Sequence, residues 1–290
     1  MGVKGFRIIE DGMLEEINAA SINGMRGCYL STDYADKFLF VAGYHDGKIT
    51  VLRLNEDGSI GEITEEIYVK GMGEVAERSL HPHVNSVKMS RDNKYLLAAD
   101  SGMDHVNVYE LDDQKGTLKQ VDIIRSNVNS GPKHMLFTKN GKFVFILHEI
   151  MNYIDVYSYK CEEGFPEFEK VQTIETVHNY HAGRNVSCAL KLSLDGKYLL
   201  SSNAGDNSVV AYSIDQENGV LEKKFCLPIS GSYPKDACFF PDVKHLVSLN
   251  HESNTMTFFA SDAEKGTLAM SCKEIKIEKP NCIIFYLLEE

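Results

Sequence analysis

Short apolar runs, often alternating with polar residues, recur along this chain between turns rich in Asp, Asn and Gly. Alternation of this kind predicts half-buried β-strands, and no segment sustains the period of an amphipathic helix. The runs themselves repeat. A turn carrying Lys leads into an apolar strand in Ser31-TDYADKFLFVAG, Ser90-RDNKYLLAAD, Thr138-KNGKFVFILHE, Ser193-LDGKYLLSSN and Phe240-PDVKHLVSLN. The anchoring residues Lys37, Lys94, Lys142, Lys197 and Lys244 stand 57, 48, 55 and 47 residues apart. Each copy continues through a polar turn into a second β-rich run, as in Lys48-ITVLRL, His105-VNVYEL, Tyr153-IDVYSY, Ser208-VVAYSI and Thr255-MTFFAS. An acidic turn with Gly and a closing strand follow, and one further strand precedes each Lys turn, as in Val84-NSVKMS, Lys133-HMLFT and Ser187-CALKLS.

Four short strands in a unit of roughly fifty residues mark a β-propeller blade. The expected fold is all-β, a single propeller domain over residues 1–290 with five complete blades and partial ones at the termini. A β-sandwich with coincidental repeats is the competing reading, and five in-phase copies speak against it. The chain has no Trp, which excludes the Trp-Asp subtype. Phe6-RIIEDGMLEEINAA matches only the last two strands of a unit, and Pro280-NCIIFYLLEE only the first. Either six blades close with one thin, or part of a larger ring precedes Met1.

Composition narrows the function. Thirty Lys and Arg against 42 Asp and Glu give a net charge of −12, which disfavours a nucleic-acid binder or a polybasic membrane-surface protein. The apolar run Ile283–Leu288 is too short to span a bilayer. The first residues resemble no signal peptide, and Phe6 stands where a myristoylation site needs Ser or Thr. Seven scattered Cys form no Cys-x-x-Cys pair, so reduced thiols in a cytosolic protein are expected. Gly71-Met-Gly73-Glu-Val-Ala76 fits a loose dinucleotide pattern but lacks the βαβ context. No Gly-x-Ser-x-Gly elbow exists, which disfavours a serine-hydrolase triad.

Along nearly its whole length the chain resembles the bacterial seven-bladed propeller lactonases of the 6-phosphogluconolactonase type. The residues carrying the resemblance are His81-Pro-His83, Gly131-Pro-Lys-His134, His148-Glu149, Ser202-Asn203 and Asn250-His-Glu-Ser-Asn254. The resemblance implies hydrolysis of 6-phospho-glucono-1,5-lactone in the pentose phosphate pathway, with no cofactor or metal. It also implies a chain starting at the outer strands of the second blade, short of its relatives by about 50 N-terminal residues. A branch of the family cycloisomerises muconate, so the fold alone does not set the reaction.

Lactone hydrolysis needs a base to activate water, donors for the oxyanion and cations for an anionic substrate. Inner-strand ends of a propeller converge on one mouth, and the motifs fall at such ends. Alternation puts His81 and His83 on one face, as base, substrate ligands, metal ligands or a structural turn. A two-His metal site lacks a third ligand that can be placed from sequence. Glu149 follows an apolar strand, where partial desolvation suits a base; its alternative is a strand-end salt bridge. The expected catalytic residues are His83, Glu149 and His134. The expected substrate contacts are Arg78, His81, Lys133, Lys235, Asn203 and His251. Asp100 stands at the same strand end as Asn203 and reads first as a turn cap.

Family members often carry Arg where Lys133 stands, and Asn-Arg where this chain has Asn203-Ala204. Arg184 or Lys191 then replaces the missing cation, or the substrate differs. A non-catalytic propeller that binds a ligand or protein, or a muconate-type isomerase, is the alternative. Sequence leaves oligomeric state open, with a monomer plausible.

Overall fold

A polar turn that satisfies its own backbone is what starts each repeat. Ser90 Oγ donates to Asp92 Oδ1 at 2.5 Å and accepts from Tyr95 N at 2.9 Å. Ser193 with Asp195, and Thr138 with Asn140, make the same bonds. Asn93, Gly141 and Gly196 take the left-handed backbone that this turn needs, at φ of 61°, 73° and 76°, a region open to Asn and Gly. The apolar strand that follows is buried along its whole length in Phe38–Gly43, Tyr95–Asp100 and Phe143–His148, as expected of a strand covered on both faces.

The computed structural model describes residues 1–73, 81–178 and 185–286. Among them the chain forms strands and one short 3-10 turn, Glu10–Gly12. Strands β1 (Gly2–Ile8) and β2 (Leu14–Ser21) make a two-stranded antiparallel sheet. Five further sheets follow in chain order. Sheet 1 holds β3 (Gly27–Thr32), β4 (Phe38–Gly43), β5 (Lys48–Leu54) and β6 (Ile60–Tyr68). Sheet 2 holds β7 (Val84–Met89), β8 (Tyr95–Asp100), β9 (His105–Asp112) and β10 (Thr117–Arg125). Sheet 3 holds β11 (Pro132–Phe137), β12 (Phe143–His148), β13 (Tyr153–Glu162) and β14 (Phe165–Glu175). Sheet 4 holds β15 (Ser187–Leu192), β16 (Tyr198–Asn203), β17 (Ser208–Ile214) and β18 (Leu221–Pro228). Sheet 5 holds β19 (Pro234–Phe239), β20 (His245–Asn250), β21 (Thr255–Asp262) and β22 (Thr267–Met270), and β23 (Ile275–Lys276) also pairs with β21. The paired strands are antiparallel and, apart from β23 on β21, follow one another in sequence, so the repeat read from the lysines is one sheet each.

Two units are distinguished, residues 1–135 and 136–287, and their boundary falls inside β11. In the first, Val3 of the two-stranded sheet and Ile22, just past it, pack with Leu39, Val41, Leu52 and Ile60 of sheet 1. The other face of sheet 1 (Phe38, Phe40, Ile49, Val51) packs on Val87, Met89, Leu96 and Ala98 of sheet 2. In the second, Phe145, Leu147 and Val156 of sheet 3 pack on Leu190, Leu199 and Val210 of sheet 4. Leu200, Val209 and Ala211 of sheet 4 meet Phe239, Leu246 and Phe259 of sheet 5. Within each unit the core is therefore a series of face-to-face contacts between consecutive sheets. Each fully buried Phe or Leu contributes about 1.5–3 kcal/mol.

One expectation is corrected here. Residues 281–286 of the C-terminal run form no strand. A strand exists by its pairing, and this segment is held instead by side chains: Ile283 N donates to Asp236 Oδ2, and Phe285 lies against Phe240 with ring centroids 4.6 Å apart.

Candidate functional site

The first strand of each four-stranded sheet lies at an edge, and the second residue of that strand is special. In β3, β7, β15 and β19 the register with the neighbouring strand slips around Cys28, Asn85, Cys188 and Lys235. Such bulges free one residue from the ladder and re-aim its side chain. Lys133 is the second residue of β11. Four of the five repeats thus offer one side chain outside the ladder, and in sheet 5 it is the lysine Lys235.

His83 immediately precedes β7 and is held on several sides. Its N donates to Asp100 Oδ1 at 2.8 Å, and its carbonyl accepts from Ser101 N at 3.0 Å. Its ring stacks on Tyr44, with centroids 4.3 Å apart and planes 13° apart, and meets the His81 ring edge-on at 4.2 Å. His83 Nδ1 lies 2.9 Å from the carbonyl oxygen of Tyr44. A carbonyl can only accept, so Nδ1 carries the proton and the neutral ring leaves Nε2 with its lone pair. That is the tautomer of a general base. The expected neighbourhood of His81 and His83 is present, with His81 exposed and His83 half-buried.

Lys133 and His134 are half-buried on β11. The Lys133 carbonyl accepts from Ser86 Oγ at 2.6 Å, and the His134 ring meets Tyr29 edge-on at 5.4 Å. The Cys28 thiol faces the carbonyls of Ala42, Val84 and Asn85 at 3.3–3.4 Å. Burial pushes its pKa up to about 11, against the opposing charge of Lys133.

In the second unit Glu149 directly follows β12 and is half-buried, its carbonyl accepting from Ser187 N. Its neighbour His148 is fully buried and turns the other way. His148 Nε2 lies 3.3 Å from Asp155 Oδ2, and the ring stacks on Tyr153 at 4.2 Å. Asp155 also accepts from Thr173 at 2.5 Å and meets Lys170 at 2.9 Å. Burial raises the Asp155 pKa, but the contacts with His148, Thr173 and Lys170 outweigh it and hold the carboxyl below its ordinary value. His251 directly follows β20, with Nδ1 3.2 Å from the Pro280 carbonyl, and Lys235 is half-buried.

Two expectations are corrected. Asn203 is fully buried; its Nδ2 donates to the Thr176 carbonyl and Ser208, and its Oδ1 accepts from Ser187. It stitches sheet 4 together and presents no atom to a substrate. Lys191 does not stand in for a missing Arg: it pairs with Asp236 at 3.1 Å and donates to the Ile283 carbonyl at 2.9 Å, holding the C-terminal segment. Arg78 and Arg184 lie outside the described residues. Among the described residues no group of three or more His, Cys, Asp or Glu side chains is placed to hold a metal ion.

Sequence reasoning missed Tyr44, which contributes a ring and a carbonyl to His83. Aligning the repeats finds its position: Tyr44, Ser101, Glu149, Ala204 and His251 each directly follow the second strand of a sheet. The position was legible; the use of a backbone carbonyl was not.

A sequence profile of the lactonase family with a seven-bladed β-propeller matches residues 1–285. A 6-phosphogluconolactonase of Bacillus subtilis is 27% identical over 285 residues, covering 98% of this chain and 80% of the relative. An uncharacterised protein of Staphylococcus epidermidis is 30% identical over 287 residues, covering 98% and 82%. Among solved structures, a periplasmic gluconolactonase of Pseudomonas aeruginosa matches with a TM-score of 0.88 and 26% identity, over 96% of this chain and 78% of that one. Matching along nearly its whole length in both sequence and fold, this chain belongs to the lactonase family of seven-bladed β-propellers.

Proposed function

We propose that this protein hydrolyses a sugar δ-lactone, with 6-phospho-glucono-1,5-lactone as the first candidate. The observation that carries the reading is the His83 tautomer: Nδ1 is committed to the Tyr44 carbonyl at 2.9 Å, which leaves Nε2 to take a proton. In the reaction, water loses a proton to Nε2 as its oxygen bonds the lactone carbonyl carbon. The tetrahedral intermediate then collapses, the ring C–O bond breaks, and the alkoxide takes the proton back from Nε2. No proton is lost or gained until the product acid ionises. His134 and His81 serve this chemistry or bind the sugar, and Lys133 supplies a cation for the anionic end. We place the reaction in the cytosol, on a monomer without a cofactor.

The relatives frame the finer question, since one is named for a phosphorylated lactone and another for an unphosphorylated one. Hydrolysis of 6-phosphogluconolactone and gluconolactone is to be compared, corrected for spontaneous ring opening. His83→Ala should lower kcat at least about tenfold. Lys133→Ala should raise KM for the phosphorylated lactone several-fold and leave the other unchanged. Full activity in His83→Ala would sink the assignment of the base.

A further inference from the structure

We propose that Asp100 is a positioning residue for His83, acting through the backbone to hold the imidazole on the Tyr44 carbonyl in a single tautomer. The inference rests on the reading of His83 as the base. Asp100 ends β8 and is fully buried. Its Oδ1 gathers three backbone donors: His83 N at 2.8 Å, Gly102 N at 3.0 Å and Met103 N at 3.1 Å. One oxygen thereby ties the segment carrying His83 to the turn between β8 and β9. That turn also touches the ring: a Cβ on Gly102 would stand 3.1 Å from His83 Cδ2 and 2.1 Å from the His81 carbonyl. With Tyr44 stacked on one face and its carbonyl on Nδ1, the ring has little freedom left.

The corresponding strand ends do something else. Asn203 spends its side chain on Thr176, Ser187 and Ser208, and Asn250 on Ser230, Ser248, Thr255 and Thr257. Neither set includes the N–H of the residue before the edge strand. A buried carboxylate is also costly, and Asp100 Oδ2 has no hydrogen-bond partner among the described residues. An amide serves the strand ends at 203 and 250, so a turn does not in itself demand the acid. What differs at 100 is the three-donor clamp, for which an ionised acceptor is the stronger one.

The test is a tautomer measurement on the full chain with ¹⁵N-labelled histidine, the His83 signals being assigned by their loss in His83→Ala. Wild type should show Nδ1–H alone. Asp100→Ala should show a mixture, with kcat for the lactone down about tenfold to a hundredfold and KM within twofold. Asp100→Asn keeps an acceptor at Oδ1 and should restore the single tautomer and most of kcat. Should Asp100→Ala fail to fold, Asp100→Ser, too short to reach all three donors, is read the same way. A single Nδ1–H tautomer in folded Asp100→Ala or Asp100→Ser overturns the inference, and so does a mixture in Asp100→Asn. The spectrum needs no substrate. Wild type inactive on lactones, or His83→Ala fully active, therefore defeats the reading of His83 as base separately from the clamp.

Discussion

Gly102→Ala probes the packing around His83 with a single methyl group. The added Cβ would lie 2.1 Å from the His81 carbonyl oxygen and 3.0 Å from His83 N. Carbon contacts are comfortable near about 3.5 Å, so the two backbones must part by more than about 1 Å. Both sides are main chain and cannot swing aside as a long side chain would. Parting them stretches the Asp100 clamp, since Gly102 N and His83 N share its Oδ1. The strain should cost about 1–3 kcal/mol of stability, as overpacking does. A base displaced by about 1 Å should lose about a hundredfold in kcat, close to 2.7 kcal/mol of barrier. The assay is kcat and KM for lactone hydrolysis beside urea unfolding of the same preparation. Gly164→Ala is the control: φ there is +82° and no atom lies within 4 Å of the new Cβ. It should cost about 1–2 kcal/mol of stability and leave kcat alone. Wild-type kcat in Gly102→Ala would show that His83 is not held by this packing, or is not the base.

Two further outcomes follow from the second unit. Asp155→Ala should destabilise by about 3–5 kcal/mol, because His148 and Thr173 lose their buried partner. The Asp155 carboxyl is held below its ordinary 3.8, so its contribution is present above pH 3.8 and is lost as pH falls through the lower folded value. Acid unfolding of Asp155→Asn should accordingly be flatter below pH 3.8. Asp236 has the opposite sign: burial raises its pKa despite the nearby Lys191 and the Ile283 N–H. Its contribution is full below pH 3.8 and is lost as pH rises through the raised value. Lys191→Met should steepen that loss and speed proteolytic cleavage within residues 280–286, measured by mass spectrometry across pH 4 to 8.

The repeat was legible because its signals are local. The Ser-x-Asp and Thr-x-Asn turns bond within five residues, and buried strands such as Phe38–Gly43 declare themselves by composition. Ile283 to Tyr286 has strand composition too, but pairing needs a neighbour, which composition does not report. The strand-end residues show the limit for the site. Asp100, Asn203 and Asn250 look alike in sequence, yet their hydrogen bonds go to different partners, set by residues some 15 to 30 positions away. Lys191 read as a spare cation because its partners, Asp236 and the Ile283 carbonyl, are distant in sequence. His83 was found from its motif, whereas its tautomer depends on a carbonyl that any residue at 44 would supply.

The slipped register at the start of the edge strands bears on how such a protein changes substrate. A residue outside the ladder bears little of the hydrogen bonding that keeps its sheet intact, so replacing one that is not buried, such as Lys235, costs the fold little. Cys28, Asn85, Lys133, Cys188 and Lys235 occupy corresponding places with unrelated chemistry, while the strands behind them keep the same apolar pattern. Selection can then retune recognition one repeat at a time. Exchanging a lysine for a neutral residue there would trade an anionic ligand for an uncharged one on an unchanged scaffold. Divergence between phosphorylated and plain lactones would thus require few substitutions, at places where stability offers little resistance.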